Sequence, residues 1–173
     1  MWWQIMKINS NNIEIKICSS VFQVMKKYIQ LGAGSLEAGG ILIGKENISD
    51  DNIIIRYITE PYASDKRRYN KFIRKDKRHI DIFNEVFNSS NEIYCYIGEW
   101  HTHDEDLPDY SRLDLKNWRK IMKESPGNIE HFHIIVGCKA IRIWRFGKLL
   151  KNPDLIKTIY WKDVMDFDKK VYR

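Results

Sequence analysis

Short isoleucine-rich runs recur along this chain and constrain its fold class more than any other feature. Ile13, Ile15 and Ile17 alternate with Glu14 and Lys16, the period-two pattern of a half-buried strand. Ile41-Leu42-Ile43 and Ile53-Ile54-Ile55 are apolar runs bounded by turn residues, as core strands are. Ile93 to His103 reads as a strand. Phe132–Val136 and Ile141–Phe146 read as two more, paired through the Gly137–Ala140 turn. Between these runs the period changes. Behind Ser19 and Ser20, which could cap a helix, Val21, Val24, Met25, Tyr28 and Leu31 recur at helical spacing until Gly32 and Gly34. Asp76 opens a second helix with Ile80, Phe83, Val86 and Phe87 on one face. Ser111 to Lys123 forms a third, with Leu115, Trp118, Ile121 and Met122 on one side. The tail, with Trp161 and Phe167, fits neither pattern. Intermixed strands and helices predict an α/β or α+β protein with a mixed sheet between helices.

A length of 173 residues suits one domain, spanning 1–173, with a real core. Hydrophobic residues at 43% and charged residues at 30% argue for a globular chain and against disorder. No apolar run approaches the roughly 18–20 residues that span a bilayer, so no membrane partner is expected. The opening MWWQIMKINS has no basic n-region, sustained apolar core or small-residue cleavage site. Cys18, Cys95 and Cys138 are far apart and form no CxxC pair. Reduced thiols in a cytoplasmic protein are expected, with neither a disulfide framework nor a cysteine zinc site.

The formal net charge is +6, and much of it is concentrated between Lys66 and Arg78, interleaved with Tyr69 and Phe72. Two readings stand: a surface for an acidic partner, or a solvated loop leading into a helix. No nucleic-acid-binding motif accompanies these charges, so nucleic acid is not the expected partner.

The chemistry concentrates in "GEWHTHDEDLPDYSRLD", residues 98–114. Side chains two apart on a strand face the same way, so His101 and His103 can turn two imidazoles toward one point. Zinc accepts imidazole nitrogen but needs a third protein ligand and an open position to do chemistry. Asp114, eleven residues after His103, is the best third ligand. Ser111 and Asp114, three apart, share one helix face. The same S-x-x-D is also a capping box, in which Ser111 caps the helix and Asp114 reaches back. Asp104, Glu105, Asp106 and Asp109 are rival ligands, but a solvated or substrate-facing loop explains them. His131 and His133 make a second HxH that opens an apolar run with no carboxylate–serine helix behind it; they and His79 read as structural. A metallo-β-lactamase pattern fails at Glu105 and Asp106, and an amidohydrolase barrel needs roughly 250 residues.

Cleaving an amide also needs a group that takes a proton and returns it to the departing amine. Two carboxylates are candidates. Glu99 precedes His101 by two and would share its face. Glu37 leads through Ala38, Gly39 and Gly40 into a buried strand, where glycines allow close backbone approach. A turn residue at a strand start explains Glu37 equally well.

Taken together, Glu37-Ala-Gly-Gly-Ile-Leu-Ile-Gly44, then Gly98-Glu-Trp-His101-Thr-His103, seven residues, Ser111, two residues and Asp114 resemble the JAB/JAMM (MPN+) metalloprotease motif. The resemblance spans about residues 13–146. Its "GEWHTH" version is most similar to the prokaryotic JAB group and, within it, to the deconjugating isopeptidases of CBASS antiphage operons. The resemblance implies a cytidine-deaminase-like three-layer α/β/α sandwich with a mixed central sheet. It also implies one catalytic zinc ion on His101, His103 and Asp114, Glu37 as general base and then acid, and Ser111 stabilising the oxyanion. Glu99 falls outside that set. Proline usually follows the second histidine in this family; Asp104 stands there, which puts substrate preference in doubt more than metal binding.

The expected function is therefore zinc-dependent isopeptide hydrolysis after the C-terminus of a ubiquitin-like or conjugated protein with an extended tail, a cyclic-nucleotide synthase conjugate among the candidates. Two alternatives remain open: a non-enzymatic protein- or nucleic-acid-binding module built on residues 66–78, and a JAB hydrolase acting on a small conjugate.

Overall fold

The computed structural model describes residues 5–10, 13–47, 52–125 and 130–165. In chain order the elements are β1 (Ile5–Ser10), β2 (Ile13–Cys18), α1 (Ser19–Lys27), β3 (Gly39–Asn47), β4 (Asn52–Ile58), β5 (Lys66–Arg68) and β6 (Lys71–Ile73). They continue as α2 (Arg78–Ser89), β7 (Cys95–Thr102), α3 (Arg112–Glu124), β8 (Glu130–Val136), β9 (Ala140–Gly147) and β10 (Asp154–Tyr160). One large sheet runs β1-β2-β4-β3-β7-β8-β9-β10. Its β2–β4 and β7–β8 pairs are parallel and the rest antiparallel, so the expected mixed α/β class is observed. The sheet curls until its two ends meet: Ser10 Oγ on β1 donates to the Ile156 carbonyl of β10 at 2.8 Å.

Alternation along the strands sorts the core onto two faces. On β8, Phe132, Ile134 and Val136 join the larger cluster with Ile15, Ile17 and Ile55, against which α1 packs Val21, Phe22 and Met25. Ile135 points the other way, into a smaller cluster where α3 contributes Trp118 and Met122 and β9 contributes Trp144 and Phe146. His101 pairs with Ile135 across β7 and β8, while Trp100, its neighbour, belongs to the larger core. The histidine face of β7 is therefore the face that α3 covers.

Several boundaries differ from the sequence expectations for physical reasons. Ser19 and Ser20 lie inside α1; the N-cap is Cys18, which makes no side-chain capping bond. That helix stops at Lys27, and Leu31 is 81% exposed. On α2 the fully buried residue is His79, whose ring is held between Thr59 and Asp65. This turns Ile80 outward, to 47% exposure. Ile93 precedes β7 and is also exposed. The basic stretch is not a loop: β5 and β6 pair as a hairpin, with Arg67 opposite Phe72. Trp161 is buried and donates to the Gly137 carbonyl, whereas Phe167 lies outside the described residues.

Candidate metal centre and substrate groove

β7 delivers His101 at its end, and His103 follows one residue beyond it on the same side. The two rings converge, with Nε2 to Nε2 at 3.0 Å. The chain then loops through Pro108 and starts α3, which returns a first-turn carboxylate to this point. Asp114 Oδ1 lies 3.3 Å from His101 Nε2, and Oδ2 lies 3.5 Å from His103 Nε2. The capping reading of S-x-x-D is realised, and it leaves the Asp114 carboxylate beside the two imidazoles. Asp114 N–H donates to Ser111 Oγ at 3.1 Å, and Ser111 N–H donates to Asp114 Oδ2 at 2.7 Å. The capping box thus aims the carboxylate as well as starting the helix.

Among the described residues, His101, His103 and Asp114 form the group of three potential metal ligands, with donor atoms all within 4.8 Å of one another. Two donors held about 2.0–2.1 Å from one zinc ion at tetrahedral angles stand roughly 3.3 Å apart. Separations of 3.0, 3.3 and 3.5 Å fit that requirement. The electrostatics also suit a cation. Burial opposes the Asp114 charge, but the two imidazoles and Ser111 outweigh it and hold its pKa well below the carboxylate range. Burial likewise opposes a charged His103, yet the Asp114 hydrogen bond, then the Asp114 and Glu37 charges, raise its pKa. Negative charge is concentrated where positive charge is wanted.

Glu37 is 7% exposed, and its Oε1 lies 3.9 Å from His103 Nε2. Desolvation raises its pKa, against the lowering influence of His101 and His103. Its backbone is held on both sides. Its N–H donates to the Arg68 carbonyl at 2.8 Å, and its carbonyl accepts from Arg67 Nε at 2.8 Å. The following glycines let strands crowd in. A Cβ on Gly39 would stand 2.6 Å from both the Phe72 ring and the Trp100 carbonyl, and one on Gly40 would stand 2.2 Å from the Thr59 carbonyl.

The five singled-out residues Glu37, His101, His103, Ser111 and Asp114 therefore line one open groove of about 950 Å³. Its floor is β7, one wall is the β5–β6 hairpin, and the other is the exposed side of α3 from Leu113 to Glu124. Glu99 reaches the groove as alternation required, but Arg74 Nη2 claims it at 2.8 Å. The loop acids divide. Glu105 approaches His103 Nδ1 at 4.0 Å, Asp104 accepts from Tyr69, and Asp106 and Asp109 pair with Lys139 and Arg142. Sequence reasoning missed the hairpin wall. Tyr69 and Phe72 stand among its cations, but Tyr69 falls in the turn between the two three-residue strands, so no alternation marks them.

A three-donor cluster, a buried carboxylate beside it and an open groove on a mixed α/β fold are parts that a metal-dependent hydrolase needs. Residues 28–147 match the family described as prokaryotic homologs of the JAB domain, and the chain belongs to that family. It is 37% identical over 139 residues to a protein of Escherichia coli (strain TW11681) named CD-NTase/cGAS isopeptidase, covering 80% of this chain and 83% of that one. A Pseudomonas aeruginosa (strain BWHPSA011 / Pa011) protein of the same name is 29% identical over 135 residues, covering 78% of this chain and 84% of its own. Among solved structures, a protein from Desulfitobacterium hafniense shares the fold at a TM-score of 0.50 and 13% identity, over 79% of this chain and 85% of that one. The resemblance to prokaryotic JAB isopeptidases, read from the motif, is borne out.

Proposed function

We propose that this chain is a zinc-dependent isopeptidase that releases a target amine from the C-terminus of a conjugated protein. The observation that carries the reading is the convergence of His101, His103 and Asp114 with the buried Glu37 in one groove. When bound, zinc would act as a Lewis acid on the scissile carbonyl and lower the pKa of its water toward 7. The chain's own residues supply the rest. Glu37, its pKa raised by burial, takes a proton from the attacking water and delivers it to the amine nitrogen as the C–N bond breaks. The products are a carboxylate and a free amine. Ser111 Oγ, at the groove, donates to the developing oxyanion, a contribution on the order of 10²–10³ in rate. Strand β6 has β5 on one side only, so an extended tail can add along the groove by backbone pairing.

The substrate class follows from the relatives' shared name, which favours a conjugated CD-NTase, the cyclic-nucleotide synthase of a CBASS-type antiphage system. A single domain over 1–173 and a cytoplasmic setting complete the reading. The thiols Cys18, Cys95 and Cys138 are all free, and among the described residues no helix is long and apolar enough to cross a membrane. Helices α1 and α3 on opposite faces support the deaminase-like α/β/α arrangement, within which the sheet curls almost closed. A Glu37→Gln chain should keep one equivalent of zinc and lose cleavage of the conjugate by about 10²–10⁴. Unchanged cleavage in a chain without stoichiometric zinc would sink the reading.

One observation favours a second reading. Lys66, Arg68 and Lys71 are exposed on the hairpin. A binding module built on them predicts that neutralising these three abolishes function while Asp114→Ala is harmless.

A further inference from the structure

The hairpin wall of the groove is fastened at three levels. At its base, Asp65 Oδ1 accepts from the Lys75 and Asp76 N–H groups at 2.7 and 2.8 Å. Asp65 Oδ2 accepts from the Tyr62 N–H at 2.8 Å and meets His79 Nε2 at the same distance. Along its length, Arg67 donates to the Leu36 and Glu37 carbonyls. At its tip the fastening passes through one residue, Tyr69, by two routes. Its carbonyl accepts from Gln30 Nε2 at 2.9 Å. Gln30 is fully buried, and its Oε1 accepts at 2.9 Å from the hydroxyl of Thr102, the residue between the two histidines. The Tyr69 hydroxyl donates to Asp104 Oδ2 at 2.8 Å. Asp104 directly follows His103.

We propose that Tyr69 and Asp104 form a clasp that positions the hairpin tip against the loop following His103, and so sets the wall along which the substrate tail lies. The proposal rests on the isopeptidase reading for what it does to catalysis, though not for its existence. The base and the Arg67 contacts hold the hairpin to the sheet, but neither reaches the loop above the histidines. The tip contact does. It couples β6, whose Phe72 ring lies against Gly39 two residues from Glu37, to the segment that carries a metal-ligand candidate. Asp104 is braced in turn, because its Oδ1 faces Cys138 Sγ at 3.6 Å. Without the clasp the tip keeps only the Gln30 bond to the Tyr69 carbonyl, its side facing the loop samples positions in which a tail does not fit, and apparent affinity falls by the competent fraction.

The test is a double-mutant cycle on the full chain, with Tyr69→Phe, Asp104→Ala and the pair together. Amide hydrogen exchange across residues 66–73 is read alongside cleavage of a tail-bearing conjugate. Each single change is expected to speed exchange and to raise KM roughly three- to tenfold, more than it lowers kcat, as for loss of one partly exposed charge-assisted hydrogen bond. The double variant should match either single within about twofold, because both remove the same bond. Asp104→Asn, which keeps an acceptor oxygen, should recover most of both effects. Singles that multiply in the double variant, or exchange that stays at the wild-type rate in both, overturn the clasp. A wild-type chain that cleaves no conjugate refutes the isopeptidase reading instead, and the exchange cycle still decides the clasp.

Discussion

The chain carries the H-x-H spacing twice, on neighbouring parallel strands and on the same face of the sheet, yet the two pairs have opposite chemistry. His101 and His103 end β7 at the groove, with Asp114 at 3.3 and 3.5 Å and Glu37 at 3.9 Å. His131 and His133 lie deeper on β8, beneath α3. There the His133 ring stacks on Trp118 at 4.2 Å and 10°, and neither of its nitrogens has a hydrogen-bond partner. Carboxylates raise the pKa of His103, while burial pushes His131 down to about 4 and His133 well below the ordinary imidazole value. Spacing alone therefore does not make a metal site. Among the described residues, the capping turn of a neighbouring helix brings a third donor, Asp114, to the β7 pair.

The comparison can be broken most severely at Asp114. Asp114→Ala should abolish stoichiometric zinc and reduce conjugate cleavage by more than about 10²-fold, since loss of a mere outer-shell partner already costs 10–100-fold. Metal analysis of the purified variant beside its kinetics checks this. Ser111→Ala should keep the metal but lower kcat by about 10²–10³. Loss of the cap should also cost about 1 kcal/mol of stability in a denaturant titration.

The second pair makes its own demand through pH. His131 is neutral in the fold, with a pKa of about 4, against about 6.5 when unfolded. The unfolded chain therefore takes up the proton first as pH falls. Stability from this group is intact above about pH 6.5 and is lost progressively down to about pH 4, by at most about 3 kcal/mol. His133 acts in the same direction. Unfolding titrations between pH 7 and 4 should show this slope, and His131→Phe should flatten it. The smallest effect is expected at His133→Phe. A ring of similar shape replaces two unpartnered buried nitrogens, so stability should stay within about 1 kcal/mol of wild type or rise, with zinc retained.

How much of this was legible in the sequence follows the same division. Strands β2, β3, β4, β7, β8 and β9 and helices α1, α2 and α3 were visible, because alternation, apolar runs or helical spacing directly encode burial. The five residues that meet at the groove were picked out by one strand-and-helix spacing and one distant glutamate. What was hidden depends on side-chain hydrogen bonds made at long range. Periodicity placed Ile80 on the buried face of α2, but the contacts of His79 with Thr59 and Asp65 set the helix's rotation. Three-residue strands crowded with Lys and Arg gave no strand signal for β5 and β6, because Arg67 faces inward to carbonyls and only its neighbours face solvent. Nor does any local pattern foretell the contact between Asp104 and Tyr69, which are 35 residues apart.

The central claim is that one HxH pair holds a metal and the other does not. Zinc content per chain, measured side by side on His101→Ala/His103→Ala and His131→Phe/His133→Phe proteins purified with the wild type, tests it most directly. The account predicts about one zinc in the wild type and in the β8 variant, and none in the β7 variant. Zinc retained when His101 and His103 are gone, or lost from a folded chain lacking His131 and His133, would contradict it.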